Sequence, residues 1–321
     1  MYELKLVASP PASRGTLSLE CPVRTQTSCK VTVANPLPED VTVKAASSNK
    51  QVVVPATVVL RANASTDVEV RYRPLVVGAS EATLKLESAE LGLFEWGLRL
   101  AGTPTNPERS LGFNVPLGGR ETQVFRFTHW LDEKADYKVS FKSSGTNTAT
   151  GGAFTAPPTV SATPAASGAG QAGTEASLEV AFEPTAIGEN IRDMLILTSA
   201  TGGEYQCPLV GRCIPPKPQG PVDVSKGSAA LPFSNVFSAD ADFQLAVDNP
   251  AFQVKPVERI GSKKASNIGI TFKPPDAKAG GGKGKDVAAA EVPAGPVSRT
   301  GKLTISCPSQ TSSQWVYYLQ A

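Results

Sequence analysis

The chain contains one histidine, His129, in the stretch VFRFTHW (124–130). A lone imidazole can act as a general base if it stands in a cleft beside a nucleophile and an orienting carboxylate. Its setting argues otherwise. Phe125 and Phe127 precede it at alternating positions, so the register puts it at a strand end, where a polar side chain can satisfy a turn's backbone N–H groups. Five cysteines stand at 21, 29, 207, 213 and 307. Without a CxxC pair or a second histidine they do not make the four closely arranged ligands of a structural zinc. The remaining candidate is AGGGKGKD (279–286). A phosphate-binding loop reads G-x-x-x-x-G-K-[ST] and opens a helix. Here, counting back from Gly284-Lys285 meets Ala279, Asp286 replaces the magnesium-binding hydroxyl, and no helical pattern follows. A basic flexible loop is the reading. The residues predict no catalysis, no metal and no cofactor.

The elements that carry these residues repeat. Residues 68–74 read VEVRYRP, 178–184 LEVAFEP and 268–274 IGITFKP. Apolar residues alternate in each: Val68, Val70, Tyr72; Leu178, Val180, Phe182; Ile268, Ile270, Phe272. A period of two marks a strand with one buried and one wet face, and the proline, having no N–H, stops the ladder. A second run follows in each copy: Ala82, Leu84, Leu86; then Leu195 and Leu197; then Leu303 and Ile305. A third carries Trp96, Leu98, Leu100; Tyr205, Cys207, Leu209; and Trp315, Tyr317, Leu319. Upstream, KVTVANP (30–36), VFRFTHW and QLAVDNP (244–250) offer inward pairs Val31/Val33, Phe125/Phe127 and Leu245/Val247. These lead to Asn35, His129 and Asn249 as matched landmarks. Landmark and proline are 39, 55 and 25 residues apart, which predicts a lengthened second copy and a third lacking a segment such as a hairpin.

Several short alternating strands per unit, repeated three times without an amphipathic helix, predict an all-β chain of three tandem immunoglobulin-like sandwiches. The units are expected at 1–104, 105–214 and 215–321, divided by the Pro-rich segments GTPTNPERS (102–110) and GRCIPPKPQGP (211–221). Two low-complexity inserts, 145–176 and 276–296, are poor in large apolar residues and are expected to be mobile loops. The stretch VVVPATVVL (52–60) is too short for a membrane span, which needs about 20 residues. MYELKLVASPP has neither the basic nor the apolar region of a secretory signal. The odd cysteine count does not fit one inter-sheet pair per domain, so reduced, mostly buried thiols of a cytosolic protein are expected. Asn63-Ala64-Ser65, a glycosylation sequon by its letters, is read as a polar turn.

The order of an inward pair, Asn-Pro, V-x-V-x-[YF]-x-P, a glycine (Gly78, Gly188) and a strand running into Gly102 or Gly211 resembles the ASH domain. That domain is a relative of the major sperm protein and PapD-type sandwiches and is repeated in hydin and other ciliary proteins. SLGFNVPLGGRETQVFRFTHWLDEKADYKV (110–139) is particularly similar to repeats of the cilia- and flagella-associated proteins. The resemblance covers essentially the whole chain. It implies a non-catalytic scaffold of the axoneme, in the central apparatus of a motile cilium or flagellum, with other axonemal proteins as partners. The alternative it leaves open is a recruitment module that grips short peptides of trafficking or membrane-contact proteins, as major sperm protein domains do. Tandem copies with stiff linkers favour spacing, and no defined basic peptide pocket is legible.

The net charge of +2 points to no partner. Between Lys255 and Lys302, however, ten Lys/Arg face four acids. Lys263, Lys264, Lys283 and Lys285 are the candidate contacts to acidic partners, tubulin tails among them, through screened attraction. Aromatic-interleaved basic patches are absent, so nucleic acid is not an expected partner. Membrane insertion is not expected either.

Overall fold

A computed structural model describes residues 13–144, 150–165, 172–273 and 298–321 of the chain. Its alternating sequences form strands with inward apolar and outward polar faces, stacked as three successive two-sheet sandwiches. The first has β1 (Thr16–Pro22), β2 (Thr27–Asn35), β3 (Val41–Ser47), β4 (Val52–Val53), β5 (Thr57–Leu60), β6 (Ala64–Tyr72), β7 (Gly78–Ser88) and β8 (Gly92–Thr103). Sheet β1-β8-β7-β3-β5 faces sheet β2-β6-β4. The second has β9 (Leu111–Pro116), β10 (Glu121–His129), β11 (Ala135–Phe141), β12 (Thr150–Gly151), β13 (Phe154–Thr155), β14 (Thr159–Ala162), β15 (Thr174–Phe182), β16 (Gly188–Ser199) and β17 (Gly203–Ile214). Its sheets run β14-β11-β16-β17-β9 and β10-β15-β13-β12.

The third sandwich has β18 (Gln219–Asp223), β19 (Ser228–Ser234), β20 (Ala241–Val247), β21 (Phe252–Val254), β22 (Val257–Ile260), β23 (Ala265–Phe272), β24 (Thr300–Ser306) and β25 (Gln314–Gln320). Sheets β18-β25-β24-β20-β22 and β19-β23-β21 form it. In every sandwich the opening strand pairs in parallel with the closing one: β1 with β8, β9 with β17, β18 with β25. All other pairings are antiparallel. The described residues include one short 3-10 turn, Lys142–Ser144, and no helix long and apolar enough to cross a membrane.

Each sandwich encloses its own apolar cluster. Leu84, Leu86, Leu195, Leu197, Leu303, Ile305 and the third-run residues Trp96, Tyr205 and Trp315 all face inward. The aromatic of each [YF]-x-P ending has a shared structural job. Tyr72, Phe182 and Phe272 end the central strand of the smaller sheet and stand opposite Val52, Phe154 and Phe252 of the short strand beside it. Tyr72 and Phe182 are buried. Phe272 is only partly buried, tilted against Phe252 with ring centroids 5.0 Å apart.

Two sequence expectations are corrected. The counterpart of Asn35 in the third sandwich is Asn235, not Asn249. Asn35 and Asn235 are both buried. Each donates through Nδ2 to the carbonyl four residues on (Glu39, Ala239) and to that of Leu60 or Ile260, and each accepts from the N–H two residues on (Leu37, Phe237). Leu231 and Phe233 are then the inward pair of β19, while Leu245 and Val247 belong to β20 in the opposite sheet. Measured from Asn235, the third copy has the same spacing to its proline as the first, and β21 and β22 supply the segment expected to be missing.

The insert reading of 145–176 is corrected as well. Residues 150–162 hold β12, β13 and β14, because Phe154 enters the core among Phe113 and Phe182 and Ala162 closes the register against Ala135. Small residues around one well-placed aromatic suffice for a short strand when the rest of the sheet is already built. The insert 276–296 lies outside the described residues.

All five cysteines carry free thiols. Cys21, Cys207, Cys213 and Cys307 are buried and Cys29 is partly so. Burial pushes the Cys207 thiol up to about 11 and also raises those of Cys29 and Cys213. A thiol reagent is therefore expected to modify Cys29 alone in the native protein and all five after unfolding without reductant. A denatured count of three would reveal a disulfide.

Candidate functional site

His129 closes β10 with no solvent exposure. Its Nε2 donates to the Glu133 carbonyl at 2.9 Å, so Nδ1 accepts from the Tyr137 hydroxyl, also at 2.9 Å. The partners are thus a carbonyl and a hydroxyl rather than the turn N–H groups expected from the sequence. The carbonyl contact is the one that Asn35 and Asn235 make four residues on, so the ring serves as a landmark in the fold. Burial pushes Tyr137 up to about 12 and raises Tyr205 as well, so neither phenol supplies a base near neutrality. Among the described residues no group of three or more His, Cys, Asp or Glu could hold a metal ion.

The basic flank is divided. Lys283 and Lys285 lie outside the described residues. Lys264 is exposed. Lys263 sits in a left-handed turn (φ 55°), as Asn63 does in the first sandwich (φ 51°), and its Nζ lies 3.0 Å from the Glu183 carboxylate of the second sandwich. This lysine is spent on an ion pair between sandwiches. An exposed pair of this kind contributes about 0–1 kcal/mol.

The most elaborate polar arrangement joins the first two sandwiches, and sequence reasoning missed it. Arg24 leaves β1 at φ 67°. Its guanidinium lies 4.2 Å from the centre of the Tyr205 ring, donates to the Glu204 carbonyl and stands 3.4 Å from the Glu108 carboxylate. Its side chain is only 11% exposed. Arg73 packs in the same manner 4.1 Å over Trp130, and Lys50 reaches the Glu133 carboxylate at 3.7 Å. At Gly203 (φ 79°) the Leu75 carbonyl occupies the space where a Cβ would project. The linker is tied in by the Glu108 N–H, which donates to the Gln206 carbonyl at 2.7 Å. Stacked guanidiniums of this kind contribute about 0.5–2 kcal/mol each. One signal was available in the sequence. Aligning CPVR (21–24) with VPLG (115–118) puts Arg24 where the second copy has Gly118, also left-handed at φ 87°.

The second joint adds an apolar contact to the Lys263–Glu183 ion pair. Leu117 and Cys213, from the second sandwich's end, are buried in the third sandwich's core cluster, and Val236 occupies the space where a Cβ at Gly118 would project. Elsewhere the outer strands β5 and β22 expose Val59 and Val257 at sheet edges.

No family model matches the sequence. The hydrocephalus-inducing protein homolog of Homo sapiens is 34% identical over 99% of this chain, and the hydrocephalus-inducing protein of Mus musculus 31% identical over the same share. The chain spans only 6% of the length of each. Among solved structures, the CupB2 chaperone of Pseudomonas aeruginosa aligns at 9% identity and a TM-score of 0.24, over 66% of this chain and 97% of its own. The two mammalian relatives align across all three sandwiches, and with them the protein belongs to the hydin-type family of tandem ASH-domain proteins.

Proposed function

We propose that the chain is a non-catalytic structural segment of the ciliary or flagellar axoneme, in the central apparatus, that spaces and docks other axonemal proteins. The observation that carries this reading is the likeness to hydrocephalus-inducing protein along 99% of the chain. The joints support it, because sandwiches held by stacked arginines and a shared apolar core suit a spacer. The units we assign are 1–104, 105–214 and 215–321. Outer strands such as β5 leave backbone groups open to strand addition by a partner. Contact with microtubules, in this reading, is electrostatic and centred on the basic flank from Lys255 to Lys302.

Co-sedimentation with microtubules carrying or lacking their acidic tails tests the contact. Binding is expected to weaken steeply from low to physiological salt, as the Debye length falls from about 30 Å at 0.01 M to about 8 Å. Charge reversal at Lys264, Lys283 and Lys285 together should abolish it, with Lys263 left in place because it serves the second joint. Equal binding to tailed and tailless microtubules would remove the electrostatic contact. Location of the parent protein outside cilia would remove the axonemal reading.

A further inference from the structure

We propose that Arg24 is the latch of a locked first joint, so that the first two sandwiches hold one fixed angle. The lock grips the second sandwich at two separate places. Arg24 and the Leu75 carbonyl engage residues 203–205 at the start of β17, whereas Arg73 and Lys50 engage Trp130 and Glu133 beyond the end of β10. A hinge about either place breaks the contacts at the other. The backbone of Arg24 is itself anchored, its N–H donating to the Pro74 carbonyl at 2.7 Å. Holding a non-glycine residue at positive φ is unfavourable, and it persists only where surrounding contacts fix it. Here the backbone is held by bonds of the first sandwich, to Pro74 and from Thr25 to Pro22, whereas the side-chain contacts all belong to the joint. Glycine at the matching position of the second joint shows that the turn itself does not need an arginine. What the arginine adds is a planar cation that can stack and donate at once, which a lysine cannot reproduce.

The test uses the whole 321-residue chain, with two readouts. Trypsin cleavage after the exposed Arg109 reports opening of the first linker. Small-angle scattering reports the spread of overall dimensions. Arg24→Ala is expected to speed cleavage at Arg109 at least tenfold and to broaden the scattering distance distribution, with unchanged far-ultraviolet circular dichroism. Arg24→Lys should fall between the two. If Arg24→Ala disturbs the fold, Arg73→Ala, which changes only a side chain beyond the end of β6, provides the same comparison at the other grip. Cleavage and scattering unchanged in both variants would overturn the proposal, as would a wild-type chain that already samples many angles. Neither readout depends on cilia or microtubules, so the outcome is independent of the axonemal reading.

Discussion

Phe182→Ala is expected to destabilise the second sandwich by about 3–5 kcal/mol, the range for deleting a buried aromatic. The ring has no solvent exposure and sits among Phe154 and Phe113, with centroids 4.8 and 5.6 Å away. It also covers Gly211 so closely that no Cβ would fit there. A cavity at this point would be lined by a sheet backbone that cannot collapse, which puts the cost toward the upper end. Chemical denaturation followed by tryptophan and tyrosine signals should show the second sandwich losing stability first. Phe272→Ala should cost clearly less, because that ring is only partly buried. Equal losses at the two positions would contradict the packing described here.

Asn235→Ala should cost about 2–4 kcal/mol, since buried groups left without partners each lose roughly 1–3 kcal/mol. The side chain satisfies the Ala239 and Ile260 carbonyls and the Phe237 N–H, and it is almost wholly buried. Asn249→Ala is expected to cost about 0.5–1.5 kcal/mol. Its side chain also bonds two carbonyls, those of Ser298 and Thr300, but in exposed surroundings where water can replace it. Thermal or denaturant unfolding of the two variants side by side decides the register of the third repeat. A larger loss at Asn249 would restore the alignment suggested by its Asn-Pro dipeptide.

That dipeptide shows where sequence reading ran out. Period-two alternation made the strands legible because burial of one face is a local property, visible in VEVRYRP or LEVAFEP alone. Proline follows the asparagine in ANP and DNP alike, as Pro36 and Pro250, whereas Asn235 precedes Val236. Matching letters therefore outweighed the true landmark, whose signature is a set of backbone partners up to 26 residues away. Phe154 was obscured by the alanines, glycines and threonines around it. The joint was hidden more deeply, because Arg24 meets a tyrosine in another sandwich, far along the chain, and neither residue is unusual by itself. Of the candidate cations, the sequence could not show that Lys263 already has a partner in Glu183.

The parallel pairing of opening and closing strands has a mechanical consequence. In β1 and β8, Thr16 stands beside Gly97 and Pro22 beside Thr103. The chain therefore enters a sandwich at one pole and leaves it at the other, and the same holds for β9 with β17 and for β18 with β25. Tension applied along the chain pulls the two strands past each other in shear. The evenly spaced bonds of a parallel ladder then share the load and must yield together, instead of opening one after another like a zip.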